Sequence, residues 1–297
     1  MTAPTPQPFG NAWAPAGPAM LFCPADRPER YRKAFDRADV VILDLEDAVS
    51  PENRADAREA MIANPLDPDR VVVRINPTGT GDHRRDLAAL SETNYRVVMQ
   101  AKTESVESIT ETGLQTIALI ETPAGAVRVN EIAAAVNCIG LMWGAEDLVA
   151  GLGGKSSRFG PGELRPGTYR DVVRFTRSAV RLAAAANGKF AVDAVHLDFR
   201  DDEGLAAEVT DAVALGYAAT ACIHPAQVAT IRAGYTPGED EIDWARRVIE
   251  GSEEFGGGVF SIEGQMIDGP VFRQAEAVLA RAAASTRPPD SQPSTEE

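Results

Sequence analysis

Eight short apolar runs alternate regularly with helix-like stretches along this chain, and that alternation limits what it can fold into. The runs are AMLFC, DVVILDLE, RVVVRIN, YRVVMQA, TIALIE, CIGLMWG, KFAVDAV and ATACIH. They are β-branched in character and apolar on both alternating faces, as strands buried on both sides are. Between them lie PERYRKAFDRA, PENRADAREAMIA, RDLAALSE, SVESITETG, PAGAVRVNEIAAAV, YRDVVRFTRSAVRLAAAANG and DEGLAAEVTDAVALG. These carry helical patterning, and several end on Gly or Asn, as helix C-termini do. Eightfold repetition of βα units of about 30 residues predicts a closed (β/α)8 TIM barrel in preference to an open doubly wound sheet. No GxGxxG follows the first run and no P-loop is present, which turns the reading further from a nucleotide-binding sheet.

The barrel needs residues 18–235. Residues 1–17 are rich in Pro, Ala and Gly and read as a flexible N-terminal tail; 286–297 read as a disordered end. Between barrel and end, residues 236–285 form a C-terminal extension, or lid. It comprises the helix PGEDEIDWARRVIEGSEE, the glycine-rich loop FGGGVFSIEGQMIDGP and the helix VFRQAEAVLARAA. By length it is too short for a core of its own, so it is expected to pack on the barrel or reach a neighbouring subunit.

A net charge of −15 argues against nucleic acid or an anionic membrane as partner. No run approaches the roughly 20 apolar residues of a membrane span. The first residues lack a basic stretch followed by an apolar core, so no signal peptide is expected and the location predicted is the cytoplasm. Cys23, Cys138 and Cys222 each sit in an apolar run. An odd count with no CxxC pair reads as buried thiols, not as disulfides or a zinc site.

Seven of the runs end in a charged or reactive group: Asp44, Glu46 and Asp47; Arg74; Lys102; Glu121; Glu146 and Asp147; Asp193; His224. Buried charges are expensive, so several at the same end of successive strands point to one shared polar site. Glu121 and Asp147 on neighbouring strands suit a hard divalent ion such as Mg²⁺, which takes one or two protein carboxylates and keeps exchangeable waters. The plainer alternative is that each caps a helix or pairs with an Arg. Arg74 can fork onto a carboxylate or hold a developing oxyanion, or it can simply pair with Asp44 and Glu46. Those acids and Asp47 read as supporting partners behind the ligands. Arg27, Arg30, Arg32 and Lys33 in the first strand-to-helix loop form a basic cluster in an acidic protein. It is either a phosphate-receiving patch or the solvated face of the first helix. Lys102 is an anion ligand or, less readily, a Schiff-base amine. His224 reads as a satisfied strand-end histidine, and the three histidines lack metal-ligand spacing.

FCPADRPERYRKA, VVILDLEDAV, VVVRIN, ALIETPAGA, MWGAEDL, CIHPAQV and EGQMIDGPV, in this order, resemble the citrate lyase beta subunit-like proteins of the HpcH/HpaI aldolase superfamily, alongside malyl-CoA and citramalyl-CoA lyases. The matching stretches cover most of residues 20–275. The resemblance implies a TIM barrel and Mg²⁺ bound by Glu121 and Asp147. It implies that Arg74 binds the substrate carboxylate or enolate oxygen, and that Arg27 and Arg30 lie where CoA phosphates bind. It also implies that Asp268 is a catalytic acid closing over a neighbouring subunit's site, in a homotrimer or homohexamer. Thr220, and Gln265 in Gly-Gln-Met, stand where several members carry lysine, which bears on the acyl carrier. The activity expected is Mg²⁺-dependent cleavage or formation of a β-hydroxyacyl-CoA such as malyl-, citramalyl- or citryl-CoA, giving an acyl-CoA and a 2-oxo acid. The rivals are a metal-dependent aldolase acting on unactivated hydroxy-keto acids, a phosphoenolpyruvate-type phosphoryl-transfer enzyme and a non-catalytic subunit of a larger lyase.

Overall fold

A computed structural model of the protein describes residues 13–285; residues 1–12 of the tail expected over 1–17, and the end expected over 286–297, lie outside the described residues. Eight parallel strands close into a barrel in sequence order: β1 (Ala19–Pro24), β2 (Val40–Asp44), β3 (Val71–Ile75), β4 (Val97–Gln100), β5 (Gln115–Ile120), β6 (Cys138–Trp143), β7 (Phe190–Asp193) and β8 (Ala219–Cys222). The ring closes between β1 and β8, where Ala19 lies opposite Thr220. All eight expected strands are present. Each is buried along nearly its whole length because both its faces are covered. Val40, Ile42, Val72, Met99, Ile117, Leu119 and Met142 form one cluster from alternate strand positions, which fills the barrel. Residues of the opposite parity, Ala118, Ile120, Leu141 and Trp143, pack outward with the helices α5 (Pro123–Ala133) and α7 (Asp171–Ala186).

The helices α1 (Pro28–Arg37), α2 (Arg54–Ala63), α3 (Gly81–Leu90), α4 (Val106–Thr110) and α8 (Asp202–Ala214) follow their strands as predicted. Two helices were not expected, α6 (Ala145–Gly151) and α9 (Gln227–Tyr235). Trp13, within the expected tail, is tied down: its amide donates to Gln115 Oε1 at 2.8 Å and its indole N–H to the Asp69 carbonyl at 2.8 Å.

The chain divides into two compact units between Ile231 and Arg232. The second contains α10 (Glu239–Glu254), a hairpin of β9 (Phe260–Ile262) and β10 (Gln265–Ile267), and α11 (Gly269–Ser285). Ala245, Val248, Ile267, Ala275 and Val278 give it a small core of its own, which length alone had argued against. The hairpin supplies the missing layer. Phe260 stacks between Phe255 (5.1 Å) and Phe272 (6.0 Å). Its turn, Glu263–Gly264, has φ of 51° and 83°, the two successive positive values of a tight two-residue hairpin loop.

Candidate active site

A cavity of about 240 Å³ opens at the C-terminal ends of the strands. Asp44, Arg74, Glu121, Glu146 and Asp147 line it together with the apolar Phe22, Leu119, Met142, Val195, Leu197 and Ile223. The structure thus brings Arg74, Glu121 and Asp147 to one place.

Glu121 follows β5 directly. Thr122 caps α5, accepting from the Gly125 N–H at 3.1 Å, and Pro123 occupies the first turn. The chain therefore turns from strand to helix within two residues, which holds Glu121 at the barrel mouth. A Cβ on Gly125 would stand 2.2 Å from the Thr103 carbonyl, so this tight turn needs a glycine. Glu121 is 3% exposed, and its Oε1 accepts the Lys102 N–H at 2.9 Å. Burial pushes its carboxyl up to about 8; Arg74 and Lys102 pull against this and Asp147 adds to it.

Asp147 is not at a strand end as expected. Strand β6 stops at Trp143, Gly144 is the N-cap of α6, and Glu146 and Asp147 occupy the first helical turn, where negative charge is favoured. Glu146 accepts from Ser157 Oγ at 2.5 Å. Asp147 is more open, with Lys102 Nζ 3.4 Å from its Oδ1. A Cβ on Gly144 would lie 2.8 Å from Glu121 Oε2 and 2.9 Å from Glu121 Cβ. The glycine thus lets the β6 turn close against the β5 acid.

Arg74 donates from Nε to Asp44 Oδ1 (2.7 Å) and from Nη2 to Asp44 Oδ2 (2.5 Å), and Nη1 lies 3.3 Å from Glu46 Oε2. Its guanidinium sits 4.9 Å above the Phe22 ring. Asp44 also accepts the Glu46 and Ala48 amides. The ion pair weighed against a catalytic Arg74 is therefore present, and it aims the guanidinium at the cavity. Glu46 and Asp47 meet the Lys102 ammonium. Burial alone would favour a neutral lysine, but these acids outweigh it and raise its pKa. An amine held charged in this way is no Schiff-base nucleophile.

Arg27 caps α1, while Arg30, Arg32 and Lys33, expected in the loop before it, lie within the helix; Arg27 and Arg30 are exposed, with Asp26 and Glu29 3.7 and 3.8 Å away. Asp193 is taken by structure: Arg177 grips it at 3.0 and 2.9 Å and the Trp143 indole donates to it at 2.7 Å. His224 stacks on Phe199 at 4.7 Å and accepts the Ala226 amide at 3.2 Å. Thr220 is buried within β8. Gln265 opens β10, and Asp268 links β10 to α11, its carbonyl accepting the Phe272 amide at 3.0 Å. The apolar lining and the role of Gly144 went unread in the sequence. Gly144 stands in the MWGAED run, and a glycine between a strand and an acidic turn is the signal that could have marked it.

The donor set suits Mg²⁺. Four carboxylates and one guanidinium line the cavity; Asp44 is engaged by Arg74 and Glu146 by Ser157, which leaves Glu121 and Asp147. Among the described residues no cluster of three or more acids, histidines or cysteines could hold a metal. Mg²⁺ needs only one or two such ligands.

The profile of the HpcH/HpaI aldolase/citrate lyase family matches residues 18–225. The chain is 52% identical to a citrate lyase subunit beta-like protein of Mycobacterium tuberculosis over 91% of its length and 97% of that protein's. It is 26% identical to the mitochondrial citramalyl-CoA lyase of Homo sapiens, over 89% of this chain and 85% of the other. A crystal structure of the protein CitE from M. tuberculosis with magnesium, acetoacetate and coenzyme A superposes with a TM-score of 0.85 at 52% identity, covering 90% of this chain and 98% of that one. No helix among the described residues is long and apolar enough to cross a membrane.

Proposed function

We propose a reaction for this chain from one premise: it belongs to the HpcH/HpaI aldolase/citrate lyase family. It is a Mg²⁺-dependent carbon–carbon lyase that cleaves or forms a β-hydroxyacyl-CoA, with an acyl-CoA and a small oxo acid as the other side of the equation. The observation that carries this reading is the convergence of Glu121, Asp147 and Arg74 on one cavity at the catalytic end of the barrel. About 240 Å³ admits a small oxo acid and leaves the body of CoA outside.

Glu121 and Asp147 would hold the Mg²⁺. When bound, the ion supplies Lewis-acid polarisation to the oxygen of a chelated oxo or hydroxy acid. Arg74, oriented by Asp44, stabilises the thioester enolate, which takes the electron pair of the C–C bond when that bond breaks. In cleavage the β-hydroxyl gives up its proton to water as the C–C bond breaks and its oxygen becomes the oxo group, and Asp268, carried over from the family resemblance, delivers a proton to the enolate carbon. In condensation Asp268 removes that proton from the acyl thioester and water returns one to the new alkoxide. Arg27 and Arg30 meet the CoA phosphates as exposed, salt-sensitive contacts. The chain is proposed to work as a homotrimer or homohexamer, so that Asp268 serves a neighbour's barrel.

The test is a screen of acyl-CoA thioesters against 2- and 3-oxo acids with Mg²⁺, read by mass spectrometry. Turnover of a CoA thioester by the purified chain is expected. Neutralising Arg27 and Arg30 together should raise KM for the thioester more than it lowers kcat, as loss of remote binding does. Saturable activity on a free hydroxy acid with no CoA binding would replace this reading with the unactivated aldolase.

A further inference from the structure

Lys102 is one of two non-glycine residues with positive φ among those described; its φ is 49°. A side chain in that region costs about 1 kcal/mol or more and persists where the surroundings demand it. The demand here is visible on both sides of the residue. On the backbone side, the left-handed turn after β4 aims the Lys102 N–H at Glu121 Oε1, 2.9 Å away. On the side-chain side, the ammonium reaches three acids from two other segments. It hydrogen-bonds Glu46 Oε1, lies 3.0 Å from Asp47 Oδ2, and lies 3.4 Å from Asp147 Oδ1. One residue therefore touches both carboxylates assigned to the metal, through separate groups.

We propose that Lys102 is a positioning residue of the metal site: its amide fixes Glu121, and its ammonium is an internal counter-cation at Asp147 that Mg²⁺ displaces toward Glu46 and Asp47. The inference rests on the metal reading above. The charge argument is direct. Two cations cannot share Asp147 without mutual repulsion, and the ammonium has nearer partners to retreat to. Before metal binds, Lys102 offsets carboxylate charge at the mouth. After metal binds, it remains close enough to weaken the site, so the ion is held less tightly than by the two carboxylates alone. Glycine would take the positive φ without strain. It would keep the amide and lose the ammonium, which separates the two roles.

The test is Mg²⁺ binding to substrate-free protein by calorimetry, with no turnover required. Lys102→Gln keeps a donor for Glu46 but removes the charge, and it should tighten Mg²⁺ binding about tenfold or more. Lys102→Gly should tighten it as well, and it serves if the Gln variant fails to fold. Lys102→Arg retains the charge and should stay within about threefold of the unmodified protein. If Mg²⁺ binds the unmodified protein and the neutral variants bind it no more tightly, the counter-cation role is overturned. If the unmodified protein and Glu121→Ala both take up no Mg²⁺, the metal reading itself fails, and this inference fails with it.

Discussion

Arg74 gives its Nε–H and one Nη2–H to Asp44, so a single buried acid sets the plane of the guanidinium. The remaining N–H groups border the cavity. Lysine there would keep the charge but lose the fork, and Arg74→Lys should lower kcat about a hundredfold or more, the scale of one oxyanion donor. Steady-state kinetics on the thioester identified by screening would check this; near-normal kcat would leave Arg74 as an ion-pair partner only. Glu121 makes a second prediction. Its folded value of about 8 stands above the ordinary 4.5, so the folded state binds the proton more tightly than the unfolded chain. Without Mg²⁺, its contribution to stability is full at low pH and is lost as pH rises from about 4.5 through about 8. Mg²⁺ needs the ionised carboxylate, so its affinity should climb over the upper part of the same window and binding should release protons. Calorimetric titrations at about pH 6 and about pH 9, in buffers of different ionisation enthalpy, would measure both effects; a pH-independent affinity with no proton release would contradict them.

At the scale of elements, the site depends on how abruptly strands become helices. The ETPAG stretch ends β5, caps α5 and brings Gly125 against Thr103 within five residues. The β6 turn uses Gly144 to approach Glu121 just before α6 presents Asp147. Gly144→Ala would place a methyl group 2.8 Å from Glu121 Oε2, so either the acid or the α6 turn must shift. The variant should stay folded, because the barrel core is untouched, and it should bind Mg²⁺ about tenfold more weakly. Circular dichroism with calorimetry would separate that outcome from unfolding. The eight strands were legible because their apolar runs are buried on both faces, a pattern that survives without knowledge of neighbours. The acids at their ends were legible because a charge after such a run is costly unless it is used. Helix α6 was not legible: seven residues opening on Ala-Glu-Asp after Gly144 read as the tail of a strand when no partner is in view. The β9–β10 hairpin hid in a glycine-rich stretch, because Glu263 takes a positive φ that Asn, Asp or Gly usually fills, and Glu263–Gly264 lacks that tight-turn signature. Asp193 shows the converse limit. Its place at a strand end matched the pattern, yet Arg177 and Trp143 consume it, and long-range pairs of that kind leave no local trace in sequence.

For the whole molecule, the proposed proton donor ties activity to assembly. Asp268 belongs to the C-terminal unit, whereas Glu121, Asp147 and Arg74, the groups proposed to hold Mg²⁺ and the enolate, belong to the barrel unit. Its proposed role in a neighbour's site makes activity a property of the assembly. Asp268→Asn is nearly isosteric but carries no titratable carboxyl at neutral pH, so this variant should bind Mg²⁺ and thioester yet lose most turnover. Arg74→Ala should be inactive for the separate reason that the enolate has lost its donor. Neither alone should work, but a mixed oligomer can pair an intact barrel from one chain with an intact Asp268 from another. In a ring of shared sites, random exchange produces such pairings at a substantial fraction of interfaces. Mixing the two variants under conditions where subunit exchange is followed by mass spectrometry should restore partial activity. The recovered activity should rise with the fraction of mixed oligomers and stay absent in unmixed controls. Verified exchange with no recovery would return Asp268 to its own chain's site or to a turn beside Gly269.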